Sequence, residues 1–152
     1  MSRTALYNIH KNLGAKIVEF AGWEMPVQYE GIREEHRAVR SSAGLFDVSH
    51  MGEIFVTGPG AKAFTQWLTT NDVEAVKEFQ AQYTLLCNRE GGVVDDVIIY
   101  KFSEGEFLFC VNASNTAKDY EWIKSESAGF DVKVDDRSRE YSQIAIQGPR
   151  SG

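Results

Sequence analysis

Tyr83-Thr84-Leu85-Leu86-Cys87-Asn88-Arg89-Glu90-Gly91-Gly92-Val93-Val94-Asp95-Asp96-Val97-Ile98-Ile99-Tyr100 decides the fold. Two runs rich in β-branched and aromatic residues flank a cluster of turn formers, which predicts strands over Tyr83 to Cys87 and Val93 to Phe102. A second turn signal, Ser103-Glu104-Gly105, leads into Phe107-Leu108-Phe109-Cys110-Val111, a third strand. Three strands joined by short turns make an antiparallel meander. The middle one carries two adjacent carboxylates in apolar company. Burying a carboxylate without a partner costs about several kcal/mol unless it is hydrogen-bonded or takes up a proton. Pleat parity sets Asp96 on one face with Val94, Ile98 and Tyr100, and Asp95 on the other with Val93, Val97 and Ile99. A carboxylate beside a tyrosine on an apolar surface suits a pocket for a flat, polar-edged ligand. The other reading is that one Asp caps a turn and the other meets solvent.

Outward from the meander, the spacing of Ile32, His36 and Val39 predicts a helix over Arg33 to Ala43, ended by Gly44. Gly52 to Val56 reads as a strand, Gly58-Pro59-Gly60 as a turn, and Phe64, Trp67 and Leu68 as the apolar side of a helix from Ala61 to Thr69 or Thr70. Asn115 or Thr116 opens another helix that reaches Ser127, with Gly129 beyond its end. Val132 to Val134 and Gln143 to Ile146 finish as strands. Helices and hairpins without regular β-α-β alternation indicate an α+β fold of antiparallel strands with packed helices. A repeat runs through it. Asp47-Val48-Ser49 followed by Ile54-Phe55-Val56-Thr57-Gly58-Pro59 matches Asp136-Arg137-Ser138 followed by Ile144-Ala145-Ile146-Gln147-Gly148-Pro149. The second copy stops at Gly152, where the helix of the first begins, so the chain is expected to end in mid-fold.

The 152 residues, 43% of them hydrophobic, suffice for a domain-sized core. A net charge of −6 without a basic cluster argues against nucleic acid or an anionic membrane as partner. No run is long enough to span a bilayer and Met1 to Phe20 has no apolar signal core, so the expectation is a cytoplasmic protein. Cys87 and Cys110 read as reduced thiols in apolar surroundings. His10, His36 and His50 lack metal-ligand spacing, and His36 on an apolar helix face reads as structural. There is no phosphate-binding glycine loop and no G-x-S-x-G elbow. Glu34-Glu35 and Asp135-Asp136 read as solvated faces, and Trp23 with Met25-Pro26 as a buried turn.

Several segments in order carry a family likeness: Leu13-Gly14-Ala15-Lys16, Phe20 to Tyr29, Glu34 to Arg40, Gly44 to Gly52, Asn71-Asp72, Gly91 to Tyr100, Val111 to Asn115, and Ile146 to Pro149. Together they resemble the aminomethyltransferase of the glycine cleavage system, the T-protein, over the whole of residues 1–152. Gly44 to Gly52 and Gly91 to Tyr100 are similar, more loosely, to the sarcosine and dimethylglycine dehydrogenase family.

The resemblance implies the N-terminal part of a folate-binding aminomethyltransferase region. It implies transfer of an aminomethyl carbon from the lipoyl arm of H-protein to tetrahydrofolate, giving 5,10-methylenetetrahydrofolate and ammonia, with no metal or redox cofactor. Asp96 matches the catalytic carboxylate, and Met51, Tyr83, Tyr100 and Asn112 match residues lining the pterin pocket. As an anion, Asp96 would stabilise positive charge at the reacting centre; with its pKa raised, it would serve as a base. Because the family is longer than this chain, weak or no catalysis is expected from the chain alone. The rival reading is a folate-binding module without transfer, as in iron–sulfur assembly factors of the same fold, and a third is a purely structural α+β domain.

Overall fold

The β-rich middle of the chain supplies a sheet whose apolar face two helices cover. A computed structural model describes Met1–Gly152. In chain order the elements are β1 (Ser2–Arg3), α1 (Tyr7–Asn12), β2 (Lys16–Phe20), β3 (Trp23–Gln28), α2 (Ile32–Ser41), β4 (Gly44–Asp47), β5 (Gly52–Thr57), α3 (Ala61–Leu68), β6 (Gln80–Cys87), β7 (Val93–Ser103), β8 (Glu106–Val111), α4 (Thr116–Glu126), β9 (Lys133–Asp136) and β10 (Ile144–Gln147). They form two compact units, the first from Met1–His50 and Ser142–Gly152, the second from Met51–Tyr141. None of the helices is long and apolar enough to cross a membrane.

The second unit is a five-stranded antiparallel sheet in the order β6-β7-β8-β5-β9. The expected meander is its first three strands. Along β7, Asp95, Val97, Ile99 and Lys101 are buried and alternate with more exposed residues, the period-2 pattern of a sheet covered on one side. Val97 and Ile99 join Ile54, Phe107 and Phe109 in a core capped by Phe64 and Leu68 of α3 and Ile123 of α4. Each such side chain contributes roughly 1.5–3 kcal/mol relative to exposure.

At the start of β7 the register steps from Leu86 opposite Asp95 to Cys87 opposite Val93. Val94 is the extra residue of a bulge. It packs on the core, while Val93 is 62% exposed. Alternation from the sequence, which grouped Val94 with Asp96, fails there because a bulge resets the parity of a strand.

The first unit holds a three-stranded sheet, β1-β3-β2, and a two-stranded one, β10-β4. Trp23, Met25 and Pro26, expected as a turn, belong to β3, and the turn lies before them, where Ala21 and Gly22 have φ of 51° and 84°. Pro26 is compatible with β3 because β1 pairs only with Trp23 and Glu24. The helix predicted over 33–43 is α2, and it stops at Ser41; Gly44 opens β4 instead of ending the helix.

The repeat has a structural counterpart. Asp47 and Asp136 each accept the backbone N–H two residues on, from Ser49 and Ser138, both at 3.0 Å. Gly58 and Gly148, with φ of 130° and 124°, each accept the N–H three residues on, from Ala61 and Ser151, both at 3.1 Å. A Cβ at Gly58 would lie 2.6 Å from the Asp131 carbonyl and one at Gly148 2.4 Å from that of Ser42, so both turns require glycine. The strands exchange partners in the same register: Asp136 faces Ile54 in β5–β9, and Asp47 faces Ile144 in β4–β10.

Candidate functional site

On the face of the second unit's sheet away from its core, β7 presents Asp96, Ile98 and Tyr100. The register fixes their neighbours. Leu85 on β6 lies opposite Asp96, and continuing the pairs Ile98–Cys110 and Gly52–Val111 brings Asn112 and then Met51 level with it. Tyr83 and Ala81 face Ile98 and Tyr100 from the edge strand.

Hydrogen bonds tie three of the five candidate residues together. The Tyr83 hydroxyl donates to Asp96 Oδ2 at 3.2 Å, and Asn112 Nδ2 donates to Asp96 Oδ1 at 3.2 Å and to its carbonyl at 3.1 Å. Donation to Asp96 is the first cause, ahead of desolvation, that pushes the Tyr83 hydroxyl above its ordinary range. Tyr83 therefore stays a neutral donor. Tyr100, half-buried on the same face, is raised chiefly by desolvation, with Cys110 adding to it. Tyr100 and Met51 share the face and the row without a direct bond to Asp96.

The carboxylate that the fold buries is Asp95, 6% exposed, whereas Asp96 lies open on the site face. A strand apolar on both faces predicts burial for either carboxylate; the structure buries Asp95 alone. Asp95 accepts Asn115 Nδ2 at 2.8 Å, Asn112 Nδ2 at 3.0 Å and the Asn112 N–H at 3.3 Å. Desolvation alone would raise its pKa, but these donors and Asp119 hold it below the usual carboxylate range. Asp119, on the first turn of α4, is fully buried. Burial first, and then Asp95, push its carboxyl up to about 8. Lys118 opposes that shift from 3.6 Å and also donates to the Val94 carbonyl at 2.5 Å, at the bulge.

Asn115 and Asp119 escaped the sequence reading as functional residues. Their signal is the spacing from Asn112 through Asn115 to Asp119, which turns three polar groups toward one strand as the chain leaves β8 and enters α4. Nowhere are three or more His, Cys, Asp or Glu side chains grouped so as to hold a metal ion. Cys87 and Cys110 are not linked by a disulfide.

The first unit has its own polar cluster. Asp47 Oδ2 lies 2.7 Å from both Thr4 Oγ1 and His10 Nε2, and the Tyr29 hydroxyl lies 2.7 Å from His10 Nδ1. Beside it is a cleft of about 580 Å³ bordered by Tyr29, Val39, Phe46 and His36. His36 is exposed there, contrary to its expected structural role, because no side chain of α2 is buried. Glu35 is not merely solvated: it accepts the N–H groups of Tyr29, Glu30 and Gly31 at 2.7, 2.9 and 3.0 Å, capping the entry to α2. Asp136 likewise closes its turn, and Asp135 pairs with Lys133 at 2.7 Å.

Residues 6–152 match the family model described as the GCVT N-terminal domain. The chain is 52% identical over 149 residues to an aminomethyltransferase of Desulfitobacterium hafniense, covering 98% of this chain and 41% of that protein. It is 55% identical over 151 residues to one of Chloroherpeton thalassium, covering 99% of this chain and 42% of that protein. The crystal structure of the glycine cleavage system aminomethyltransferase T from Bartonella henselae superposes with a TM-score of 0.90 at 36% identity, over 99% of this chain and 41% of that one. The chain thus spans about two fifths of the length of the relatives it matches. Both the family model and the fold lead to one conclusion: the chain belongs to the aminomethyltransferase family, as its GCVT N-terminal domain.

Proposed function

We propose that this chain supplies the catalytic carboxylate and part of the pterin pocket of a tetrahydrofolate-dependent aminomethyltransferase of glycine cleavage. The donor is the aminomethyl group on the lipoyl sulfur of H-protein. Two bonds form, from the methylene carbon to N5 and N10 of tetrahydrofolate, and its bonds to sulfur and to the amine nitrogen break. Of the two protons released from the folate nitrogens, one goes to the lipoyl thiol and one to the departing ammonia. The products are 5,10-methylenetetrahydrofolate, ammonium and the dihydrolipoyl arm.

The observation that carries this reading is Asp96 on an open sheet face, fixed by Tyr83 and Asn112. Positive charge builds on the carbon as sulfur leaves and on the folate nitrogen as it attacks. A carboxylate already held in place stabilises that charge without reorganisation. Tyr83, Tyr100 and Met51 suit the faces of a flat electron-rich ring. Asn112 commits its Nδ2 to the two aspartates, which leaves its Oδ1 to accept an N–H from the ring edge.

The test compares Asp96→Asn with wild type in the protein that carries this chain, given aminomethylated H-protein and tetrahydrofolate. A loss of about 100-fold or more in ammonia release, with folate binding retained, is expected. Folate binding without any release by the wild type would favour a folate-binding module. Full activity in Asp96→Asn would end the assignment.

A further inference from the structure

A carboxyl with no solvent exposure and no donor cannot comfortably carry a charge, and Asp119 is in that position. Neither of its oxygens has a hydrogen-bond donor in the chain, and the nearest cation, Lys118, is 3.6 Å away and spends its short bond on the Val94 carbonyl. An isolated buried carboxylate is costly enough that such a group takes up a proton. Once protonated it becomes a donor. Its backbone N–H donates to the Asn115 carbonyl at 2.8 Å, which sets Asp119 one helical turn beyond Asn115, and Asn115 Nδ2 reaches Asp95 at 2.8 Å, so α4 turns both side chains toward the same carboxylate.

Asp95 has room for that bond. A carboxylate offers about four lone-pair sites. Three are filled, by Asn115 Nδ2, Asn112 Nδ2 and the Asn112 N–H. One site is left for a donor from α4. The same Asn112 Nδ2 that reaches Asp95 also reaches Asp96, so whatever holds Asp95 in place orients the amide beside the reacting carboxylate.

We infer that Asp119 is a positioning residue for the transfer site: as the neutral acid it donates its proton to Asp95, and through Asp95 it locks the Asn112 amide against Asp96. This rests on the proposed folate chemistry for its functional consequence but not for the hydrogen bond itself. Asp95 on β7 and Lys118 on α4 are the charged groups that shift Asp119, and the strands on which α4 also packs carry Glu53 on β5 and Lys133, Asp135 and Asp136 on β9. Ionising Asp119 would remove the donor and put a second anion against Asp95. The Asn112 amide would then lose its fixed partner.

The experiment has two readouts on the protein that carries this chain. Carboxyl ¹³C NMR should find Asp119 protonated at neutral pH and titrating near 8, with the Asn112 side-chain amide resonance moving in step. This arm needs no folate, and an Asp119 already ionised at pH 6 would overturn the inference. The second arm is the Kd for tetrahydrofolate against pH. Wild-type affinity should fall about tenfold as the pH rises past Asp119, Asp119→Leu should show the weakened value at every pH, and Asp119→Asn, whose amide still donates to Asp95, should bind as wild type does at neutral pH with no such fall. Asp119→Leu binding like wild type, or Asp119→Asn as weak as Asp119→Leu while still folded, would also overturn it. A wild type that titrates as expected but binds no tetrahydrofolate would sink the proposed function and leave the hydrogen bond standing.

Discussion

The two units of this chain are held together by different physics. In the second, a five-stranded sheet and two helices enclose a continuous apolar core that includes Ile54, Phe64, Phe107 and Phe109 at 0% exposure. In the first, Tyr7 and Met25 are the only buried apolar side chains, while Leu45, Ile146 and Ile32 stand 74%, 54% and 60% exposed. The first unit relies instead on strand ladders and on the Thr4, His10, Tyr29 and Asp47 cluster. Apolar burial is the larger source of stability, so the second unit is the rigid platform on which a site can be fixed, and the candidate residues lie on it.

The largest effect that would break this contrast is a core truncation. Phe109→Ala should cost about 3–5 kcal/mol, read as a shift of the urea midpoint, because the lost ring leaves a cavity in the middle of the sheet. Leu45→Ala in the first unit should stay within about 0.5 kcal/mol, since its side chain is already in solvent. Equal costs would mean that the units do not differ in the way argued.

Next in size is the polar cluster. Asp47→Ala removes the acceptor for Thr4 Oγ1, His10 Nε2 and the Ser49 N–H together. A loss of about 1–3 kcal/mol is expected, confined to the first unit. Amide hydrogen exchange should rise in α1, β3 and β4 and stay unchanged in β7 and β8. Faster exchange throughout the second unit would show that the cluster supports more than its own surroundings.

The same contrast explains what could be read from the sequence. Strands β6 to β8 and helices α3 and α4 were legible because a buried core imposes periodicity, and turns at Gly91 and Gly105 punctuate it. Strands β1 to β4 were not, since a unit with little apolar burial leaves little pattern to detect. Asp96 and Tyr100 on one face follow from pleat parity, and Tyr83, opposite Ile98 in the hairpin, reaches Asp96 along the diagonal. The Val94 bulge has no marker in the local sequence, and it is the strand pairing that makes Asp95 the buried carboxylate. Asp119 meets Asp95 across 24 residues, and no local rule reaches that far.

The smallest and sharpest difference is in pH dependence. Asp47 in the first unit sits below its ordinary pKa of 3.8: against the cost of desolvation, hydrogen bonds from Ser49, His10 and Thr4 favour its charged form. A lowered pKa contributes stability that is present above the ordinary value and lost as pH falls through the folded one, so this contribution fades only in acid below about 4. Glu53 in the second unit is the opposite case. Burial, with Asp136 adding to it, pushes its carboxyl from 4.5 to about 7, and neither oxygen has a donor. A raised pKa contributes stability that is complete below 4.5 and lost as pH rises through 7. The second unit should therefore lose about 1–2 kcal/mol between pH 5 and pH 8 from this residue, and Glu53→Gln, which carries no charge, should flatten that slope. Hydrogen exchange resolved to β5 and β8 against β3 and β4 would read the two units separately. If the first unit weakens toward alkaline pH as steeply as the second, the difference in how they are held does not extend to their buried charges.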